Sequence, residues 1–128
     1  MSIKLKRPKR IKLKPYRKLR KQAWDVFSKW IRARDGACVT CGSKENLQAG
    51  HFIHKDCLDF DPRAVHAQCV RCNHFLSGNL VEYTLFMQDT YGQAVVDELM
   101  QLAKKERKYS RQELEEIIRD HTLIKDKE

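Results

Sequence analysis

Two short motifs flank the stretch that decides the fold: CVTCG at residues 38–42 and CVRCN at residues 69–73. Each contains a Cys-x-x-Cys pair, and the first cysteines of the two pairs lie 31 positions apart. Such a turn presents two thiolates to one ion, and zinc prefers four ligands in a tetrahedron. Four thiolates fill the coordination sphere, so the pattern predicts a structural zinc ion. The predicted ligands are Cys38, Cys41, Cys69 and Cys72. The remaining cysteine, Cys57, is predicted to be a free thiol.

Positive charge is concentrated in the first quarter of the 128-residue chain. Residues 1–34 contain 14 lysines and arginines and one acidic residue, whereas the rest contains 12 basic and 16 acidic residues. This distribution indicates a polyanionic partner such as DNA, RNA or an anionic membrane. The start has no apolar segment typical of a secretory signal, and no run of 18 apolar residues predicts a membrane span. Five cysteines in a chain that is not secreted favour metal binding over disulfides.

Apolar periodicity and breaker residues predict how the first third of the chain folds. Residues 1–15 are basic and interrupted by two prolines, so we expect a flexible basic arm. Residues 16–36 are predicted to form a basic helix, because apolar residues recur at steps of three and four from Tyr16 to Ile31. Asp35-Gly36 is typical of a helix end.

The rest of the chain divides into a zinc-bound module at residues 37–79 and a helical packing region at residues 80–128. Within the first, we predict two strands and a helix: Ala49–Ile53, Val65–Gln68 and a helix that begins near Cys72. In the second, Ser110-Arg-Gln-Glu113 is typical of a capping box that opens a last helix. The pattern as a whole predicts an α+β fold.

Between the cysteine pairs lies Gly50-His51 in an apolar segment, and Asn73 follows the last cysteine. This order resembles the HNH endonucleases. More narrowly, QAGHFI, LDFDPRAVHAQCVRCNHFLSGNLVEY and YGQAVVDEL resemble the NinG (Rap) recombination proteins of lambdoid phages, from about Lys12 to about Ile118. The resemblance implies a zinc-stapled, treble-clef-like ββα-metal (HNH) centre with flanking helices. It further implies metal-dependent cleavage of DNA, with branched recombination intermediates such as D-loops or Holliday junctions as substrates, in the cytoplasm of a bacterial host.

The resemblance also implies roles for residues near the second cysteine pair. Cleavage of a phosphodiester needs a base that activates water, and imidazole can accept a proton near neutral pH. His51 occupies the position of the base. Catalysis would also use a divalent cation, Mg²⁺ or Mn²⁺. Asn73 and Ser77 occupy the two ligand positions on the helix, and residues four apart share one helix face.

Two positions depart from the family pattern. Gly50 stands where many HNH proteins have Asp or His before the base, and Ala64 stands where they have an Asn that fixes the loop holding the base. His66, on the strand that leads to Cys69, is a further candidate catalytic residue. The missing metal ligand has five candidates, among which the sequence does not choose: Gln48, His54, Asp59, Asp61 and His66. His74 and His121 are expected at the surface.

Basic side chains of the arm and first helix are predicted to contact nucleic acid. Such contacts neutralise phosphates and position the protein without reading sequence. The candidates are Lys12, Lys14, Arg17, Lys18, Arg20, Lys21, Arg32 and Arg34. A four-way junction, being two-fold symmetric, would suit a homodimer.

Two other functions compete with nuclease activity. Gly50 and Ala64 favour a zinc-stabilised DNA-binding module without cleavage activity. An RNA-binding or ribosome-associated zinc protein is also compatible with the charge, but it leaves Gly50-His51 and Asn73 unexplained.

Overall fold

The computed structural model describes residues 12–124. Most of the predicted basic arm, residues 1–11, lies outside the described residues, as do residues 125–128. The chain is a mixed α/β fold with one small two-stranded sheet. Its elements are α1 (Tyr16–Asp35), β1 (Leu47–His51), a 3₁₀ turn (Asp56–Leu58), β2 (Val65–Cys69), a short π-helix (Arg71–Phe75), α2 (Leu80–Tyr91), α3 (Gln93–Leu102) and α4 (Arg111–His121). None of the helices within residues 12–124 is both long and apolar enough to cross a membrane.

Helix α1 confirms the helix predicted from apolar periodicity. Its buried residues are spaced four apart and form one stripe: Leu19, Ala23, Phe27 and Ile31. Gly36 ends the helix in the left-handed conformation, at φ 68°, and its N–H donates to the carbonyl of Arg32. Glycine adopts this conformation without the steric penalty of a Cβ atom.

Helix α4 packs against α1 and confirms the predicted capping box. The Ser110 hydroxyl accepts a hydrogen bond from the Glu113 N–H at 3.1 Å, and the Glu113 carboxylate accepts one from the Ser110 N–H at 3.1 Å. Leu114 of α4 is fully buried in the cluster that includes the apolar stripe of α1. The capping box and the burial of Leu114 therefore both stabilise helix α4.

Strands β1 and β2 pair antiparallel, with Gly50 opposite His66 and His51 opposite Val65. Successive side chains of a strand point to opposite faces, so His51 and His66 lie on different faces of the sheet. One face packs against α1, because Ala49 and Val65 belong to the α1–α4 cluster. The other face packs against α2, where the Tyr83 hydroxyl donates to the Gly50 carbonyl at 2.8 Å.

The predicted first strand, Ala49–Ile53, was wrong at both ends, because β1 begins at Leu47 and ends at His51. Phe52 and Ile53 are apolar for another reason: they pack against the second core cluster, formed largely by α2 and α3. The predicted second strand is confirmed and extends one residue further, to Cys69.

Candidate active site and metal centre

Four cysteines from distant parts of the chain form a cluster that could hold one metal ion. One sulfur atom from each of Cys38, Cys41, Cys69 and Cys72 lies within 4.8 Å of the others. The Sγ atoms of Cys41 and Cys69 are 3.6 Å apart. A zinc tetrahedron with Zn–S bonds of about 2.3 Å has sulfurs roughly 3.8 Å apart. The donor set and its size therefore fit zinc, and three of the four thiols are buried.

Tight turns bring each pair of sulfurs together. The N–H of Gly42 donates to the carbonyl of Cys38 at 2.8 Å, and Gly42 lies in the left-handed region at φ 82°. The second pair spans the end of β2 and the start of the π-helix. The Asn79 side-chain amide lies 3.7 Å from the Cys72 sulfur, as a donor to it.

The surroundings of Cys38 favour the thiolate, which is the form that binds zinc. Burial acts to raise the pKa of Cys38, but hydrogen bonds involving Thr40 and the backbone outweigh it and lower that pKa to about 6. At Cys41 a backbone hydrogen bond with Ser43 acts to lower the pKa, but burial and the sulfurs of the other three cysteines raise it to about 12, so Cys38 is the thiol of this pair that ionises first. Cys57 lies outside the cluster, where its sulfur approaches the carbonyl of Leu102 at 3.5 Å.

His51, the predicted base, lies at the end of β1 against an aromatic surface of α1. Its ring stacks on the indole of Trp24, with centroids 5.0 Å apart and planes inclined by 9°. The His54 ring lies 5.4 Å away. The side chain of His51 is 19% exposed, so it borders solvent while its ring plane is fixed by Trp24.

A carboxylate and a guanidinium complete the surroundings of His51. Nε2 of His51 lies 2.9 Å from Oδ1 of Asp59, and Oδ2 of Asp59 accepts a hydrogen bond from Arg20 at 2.7 Å. The His51 contact is close but poorly aligned, since this buried Nε2 has no hydrogen-bond partner within residues 12–124. Asp59 was one of the five candidates for the missing metal ligand, and the fold brings it into contact with His51. It contacts the imidazole and belongs to no cluster of three or more potential metal ligands among residues 12–124.

Asp59 is held as a carboxylate. Burial acts to raise the pKa of Asp59, but the contacts with His51 and Arg20 outweigh burial, so that pKa lies below its ordinary value. An ionised Asp59 favours a proton on the facing Nε2. Nδ1 is then the nitrogen of His51 that can accept a proton.

The lowered pKa of Asp59 predicts how the stability of the protein depends on pH. Asp59→Asn should reduce the free energy of unfolding by about 1–3 kcal/mol at pH 7, because buried partners lose their charged acceptor. The contribution is complete above the unfolded-state pKa, about 3.9, and is lost as the pH falls through the lower folded-state pKa. Urea unfolding at pH 7 and pH 3 should therefore show the difference from the parent shrinking in acid.

The matched control is Asp56→Asn, which replaces an exposed carboxylate three residues away. This variant should stay close to the parent at both pH values. A deficit of Asp59→Asn that is equally large at pH 3 and pH 7 would contradict the ionised state of Asp59.

Gly50 is a glycine because a buried side chain fills the space that a Cβ would need. A Cβ at this position would lie 2.0 Å from Oε1 of Gln68 and 3.0 Å from Oδ1 of Asn73. Gln68 is fully buried, and its Nε2 donates to the Gly78 carbonyl at 2.7 Å. Neither Asp nor His can therefore stand at position 50 while Gln68 keeps this place.

Gly50→Ala should destabilise the protein by about 1–3 kcal/mol, the usual cost of overpacking. Gln68 would have to move and give up its hydrogen bond to Gly78. Thermal and urea unfolding of the single and double variants tests this, because in a Gln68→Ala background the Gly50→Ala change should cost much less. Equal costs in both backgrounds would show that the clash with Gln68 is not the reason for the glycine.

Asn73 lies beside β1, and Ser77 does not share its helix face. The Asn73 amide donates to the Gln48 side-chain oxygen at 2.9 Å. The helix after Cys72 is a single π-type turn that ends at Phe75. Ser77 follows in the left-handed conformation, at φ 51°, and is exposed. The i, i+4 argument was wrong because it assumed a continuous α-helix.

Clustering of His, Cys, Asp and Glu side chains identifies no second metal site among the described residues. Within residues 12–124, the four cysteines are the only group of three or more His, Cys, Asp or Glu side chains close enough to hold an ion. We therefore assign no ligands to Mg²⁺ or Mn²⁺. The role of Asn73 as a ligand stays a prediction.

His66 is a buried structural residue on the α2 face of the sheet. Its Nδ1 lies 3.0 Å from the Tyr83 hydroxyl, and its Nε2 lies 2.7 Å from the Tyr91 hydroxyl. Burial lowers the pKa of His66 to about 4, so the ring is neutral at pH 7. With both nitrogens engaged on the face opposite His51, His66 is left out of the catalytic set proposed below.

The predicted nucleic-acid contacts fall into two groups. Five side chains are exposed before and along α1: Lys12, Lys14, Arg17, Lys18 and Lys21. Three others have structural partners. Arg20 pairs with Asp59, Arg32 donates to the Ser28 carbonyl at 3.2 Å, and Arg34 donates to the carbonyls of Pro62 and Val65 at 2.7 and 2.9 Å. Arg34 therefore fastens the end of α1 to β2.

The two histidines expected at the surface differ. His74 is exposed. His121 is not, because its ring packs edge-on against Phe27 and Trp30, with centroids 5.1 and 4.7 Å away. The apolar periodicity of α4 includes position 121 and was the signal for its burial.

Comparison with known proteins places these features in a family. The family model described as "Bacteriophage Lambda NinG protein" matches residues 3–128. Proteins named "Protein ninG" from Salmonella phage P22 and Escherichia phage 933W are each 39% identical over 98 residues, and that of Escherichia phage lambda is 38% identical. These alignments cover 71% of this chain and 48%, 49% and 48% of the relatives, so the chain spans about half the length of the curated relatives it matches. No solved structure matches the chain.

Proposed function

The chain belongs to the bacteriophage NinG family, and from its site we propose that it is an HNH-type DNA endonuclease stabilised by a structural zinc ion. The proposed substrates are branched recombination intermediates, D-loops or Holliday junctions, in the cytoplasm of the bacterial host. The substrate class follows from the resemblance of the sequence, whereas the chemistry follows from the residues around His51.

The geometry of His51 is the observation that carries the proposal. A general base must be fixed in orientation and keep one nitrogen for the reacting proton. Trp24 fixes the ring plane of His51, and the Asp59 carboxylate lies 2.9 Å from Nε2 without an aligned hydrogen bond, so we assign the reacting proton to Nδ1. Arg20 in turn holds Asp59 at 2.7 Å. An orienting carboxylate behind an imidazole is a recurrent arrangement in hydrolytic sites.

The proposed reaction is hydrolysis of a phosphodiester bond. A water molecule attacks phosphorus and gives one proton to Nδ1 of His51. Its oxygen forms the new P–O bond while the bond to the leaving sugar oxygen breaks. The leaving oxygen then takes a proton from solvent, and the protonated His51 releases its proton to solvent, which restores the neutral imidazole. A divalent cation would stabilise the charge on the leaving oxygen.

The competing function, a DNA-binding module without cleavage activity, has a specific observation in its favour. Position 50 has no room for a ligand side chain, and residues 12–124 provide no cluster of cation ligands beside His51. Both functions require the zinc centre and the basic side chains, and they differ only in whether a strand is cut.

A nicking assay distinguishes the two functions. Zinc-loaded protein is incubated with supercoiled plasmid, linear duplex and a four-way junction, in Mg²⁺, in Mn²⁺ and in EDTA. We expect nicked products with a divalent metal, most of all from the junction, and none in EDTA. Binding without nicking in every metal would favour the binding module. Stronger retention of RNA than of DNA in a competition experiment would favour an RNA-binding protein.

A further inference from the structure

The loop between α3 and α4 forms a cleft with the segment that follows β1, and we call it the basic cleft. Its volume is about 660 Å³, and it is lined by residues 54–57 and 103–108. Five lysine and arginine side chains face it, against two carboxylates. The basic residues are Lys55, Lys104, Lys105, Arg107 and Lys108. The cleft therefore offers an excess of positive charge in a part of the chain whose composition is net acidic.

The basic cleft begins beside the proposed base. His54 lines it, and the His54 ring lies 5.4 Å from that of His51. At its other end, Arg107 and Lys108 also line a neighbouring cavity of about 210 Å³ together with Tyr16 and Arg20 of α1. The two cavities adjoin, because Asp56, Arg107 and Lys108 line both of them.

Most of the positive charge in the basic cleft is not neutralised by the protein. Among residues 12–124, Arg107 alone of the five basic residues forms an ion pair, with Glu113. The Arg107 guanidinium also lies 4.2 Å over the Tyr109 ring, and the Lys108 ammonium lies 4.6 Å over the Tyr16 ring. These contacts hold Arg107 and Lys108 at the wall of the cleft. Lys55, Lys104 and Lys105 are exposed.

We propose that the basic cleft binds the phosphodiester backbone of DNA that passes His51. This inference rests on the proposed function, since it takes DNA as the partner. An acidic peptide has the complementary charge as well, but the basic cleft adjoins the proposed base at His54, so the DNA that His51 would cut lies within reach of it. The regularly spaced phosphates of a DNA backbone can contact several of its basic side chains at once. The contacts would be independent of sequence.

The test measures DNA binding without cleavage, in a His51→Ala background. Lys105→Ala/Lys108→Ala is compared with Lys44→Ala/Arg119→Ala, which removes the same charge from exposed positions outside the cleft. Anisotropy of labelled duplex is recorded from 50 to 200 mM salt. Each lost phosphate contact lowers the log–log slope by about 0.9, so we expect a decrease of roughly 1.8 for the cleft variant and little change for the control.

Three outcomes would overturn the inference. One is a salt slope that the cleft variant leaves unchanged. An equal decrease in the cleft and control variants would also overturn it, because DNA binding would then depend on the total charge of the protein and not on the basic cleft. The third is displacement of DNA by poly-glutamate at lower charge concentration than by unlabelled DNA, which would indicate an acidic protein partner. Because the background does not cleave, failure of the nuclease proposal leaves this result unaffected.

Discussion

Removal of zinc should unfold the centre of the protein. Cys38→Ser/Cys69→Ser takes one ligand from each cysteine pair, and a structural zinc ion can contribute on the order of 10 kcal/mol in small metal-folded peptides. Total stabilities of domains are about 5–15 kcal/mol, so this loss is comparable to the whole. The cluster sits where the end of β2, the π-helix and the loop after α1 meet, and the Gln68 amide of β2 donates to the Thr40 hydroxyl at 3.2 Å and to the Gly78 carbonyl at 2.7 Å. Circular dichroism should show loss of cooperative melting.

The matched control for the zinc prediction is Cys57→Ser. This cysteine lies outside the cluster, so the variant should bind one zinc per chain and melt like the parent. Elemental analysis of purified protein gives the zinc content directly. Native protein without zinc, or a Cys38→Ser/Cys69→Ser variant that melts like the parent, would contradict the structural role of the metal.

Features that depend on short stretches of sequence were predictable. Helix α1 is predicted by its apolar periodicity and helix α4 by its capping box. Both signals involve residues within a few positions of one another, so they can be recognised without the tertiary structure. The cysteine cluster follows from spacing, since thiolates have few other reasons to occur as two Cys-x-x-Cys pairs. The end of β1 was misplaced because Phe52 and Ile53 are apolar for burial outside the sheet.

The surroundings of His51 were only partly predictable, since they are built by tertiary contacts. Asp59 was one of five candidates for the missing metal ligand, and the sequence did not choose among them. Only the fold brings Oδ1 of Asp59 to 2.9 Å from Nε2 of His51. The contact of Trp24 with His51 was missed because Trp24 lies off the main apolar stripe of α1. The available signal was a large aromatic side chain outside that stripe. Gln68 carried no signal at all, and neither did the basic cleft, which combines residues about 50 positions apart.

His51→Ala should reduce the rate of DNA cleavage by about 10²–10⁴-fold, the usual loss for a general base. We expect fold stability to come mainly from the cysteine cluster and the two apolar cores, and the proposed DNA affinity to come from lysines and arginines. His51 contributes to neither in large measure, so the variant should melt cooperatively and bind DNA like the parent. Asp59 keeps its contact with Arg20 when His51 is absent.

His74→Ala is the matched control, because it removes an exposed imidazole that does not line the basic cleft. It should cut at a rate within a few fold of the parent. A cleavage defect in both variants would indicate a disturbed site and not the loss of one base.

The most direct test is single-turnover cleavage of a labelled four-way junction by the parent, His51→Ala and His74→Ala, with DNA binding measured on the same samples. We expect metal-dependent nicking by the parent and His74→Ala, and none detectable by His51→Ala, with equal binding by all three. Cleavage by His51→Ala at the parent rate would contradict the assignment of this histidine as the base.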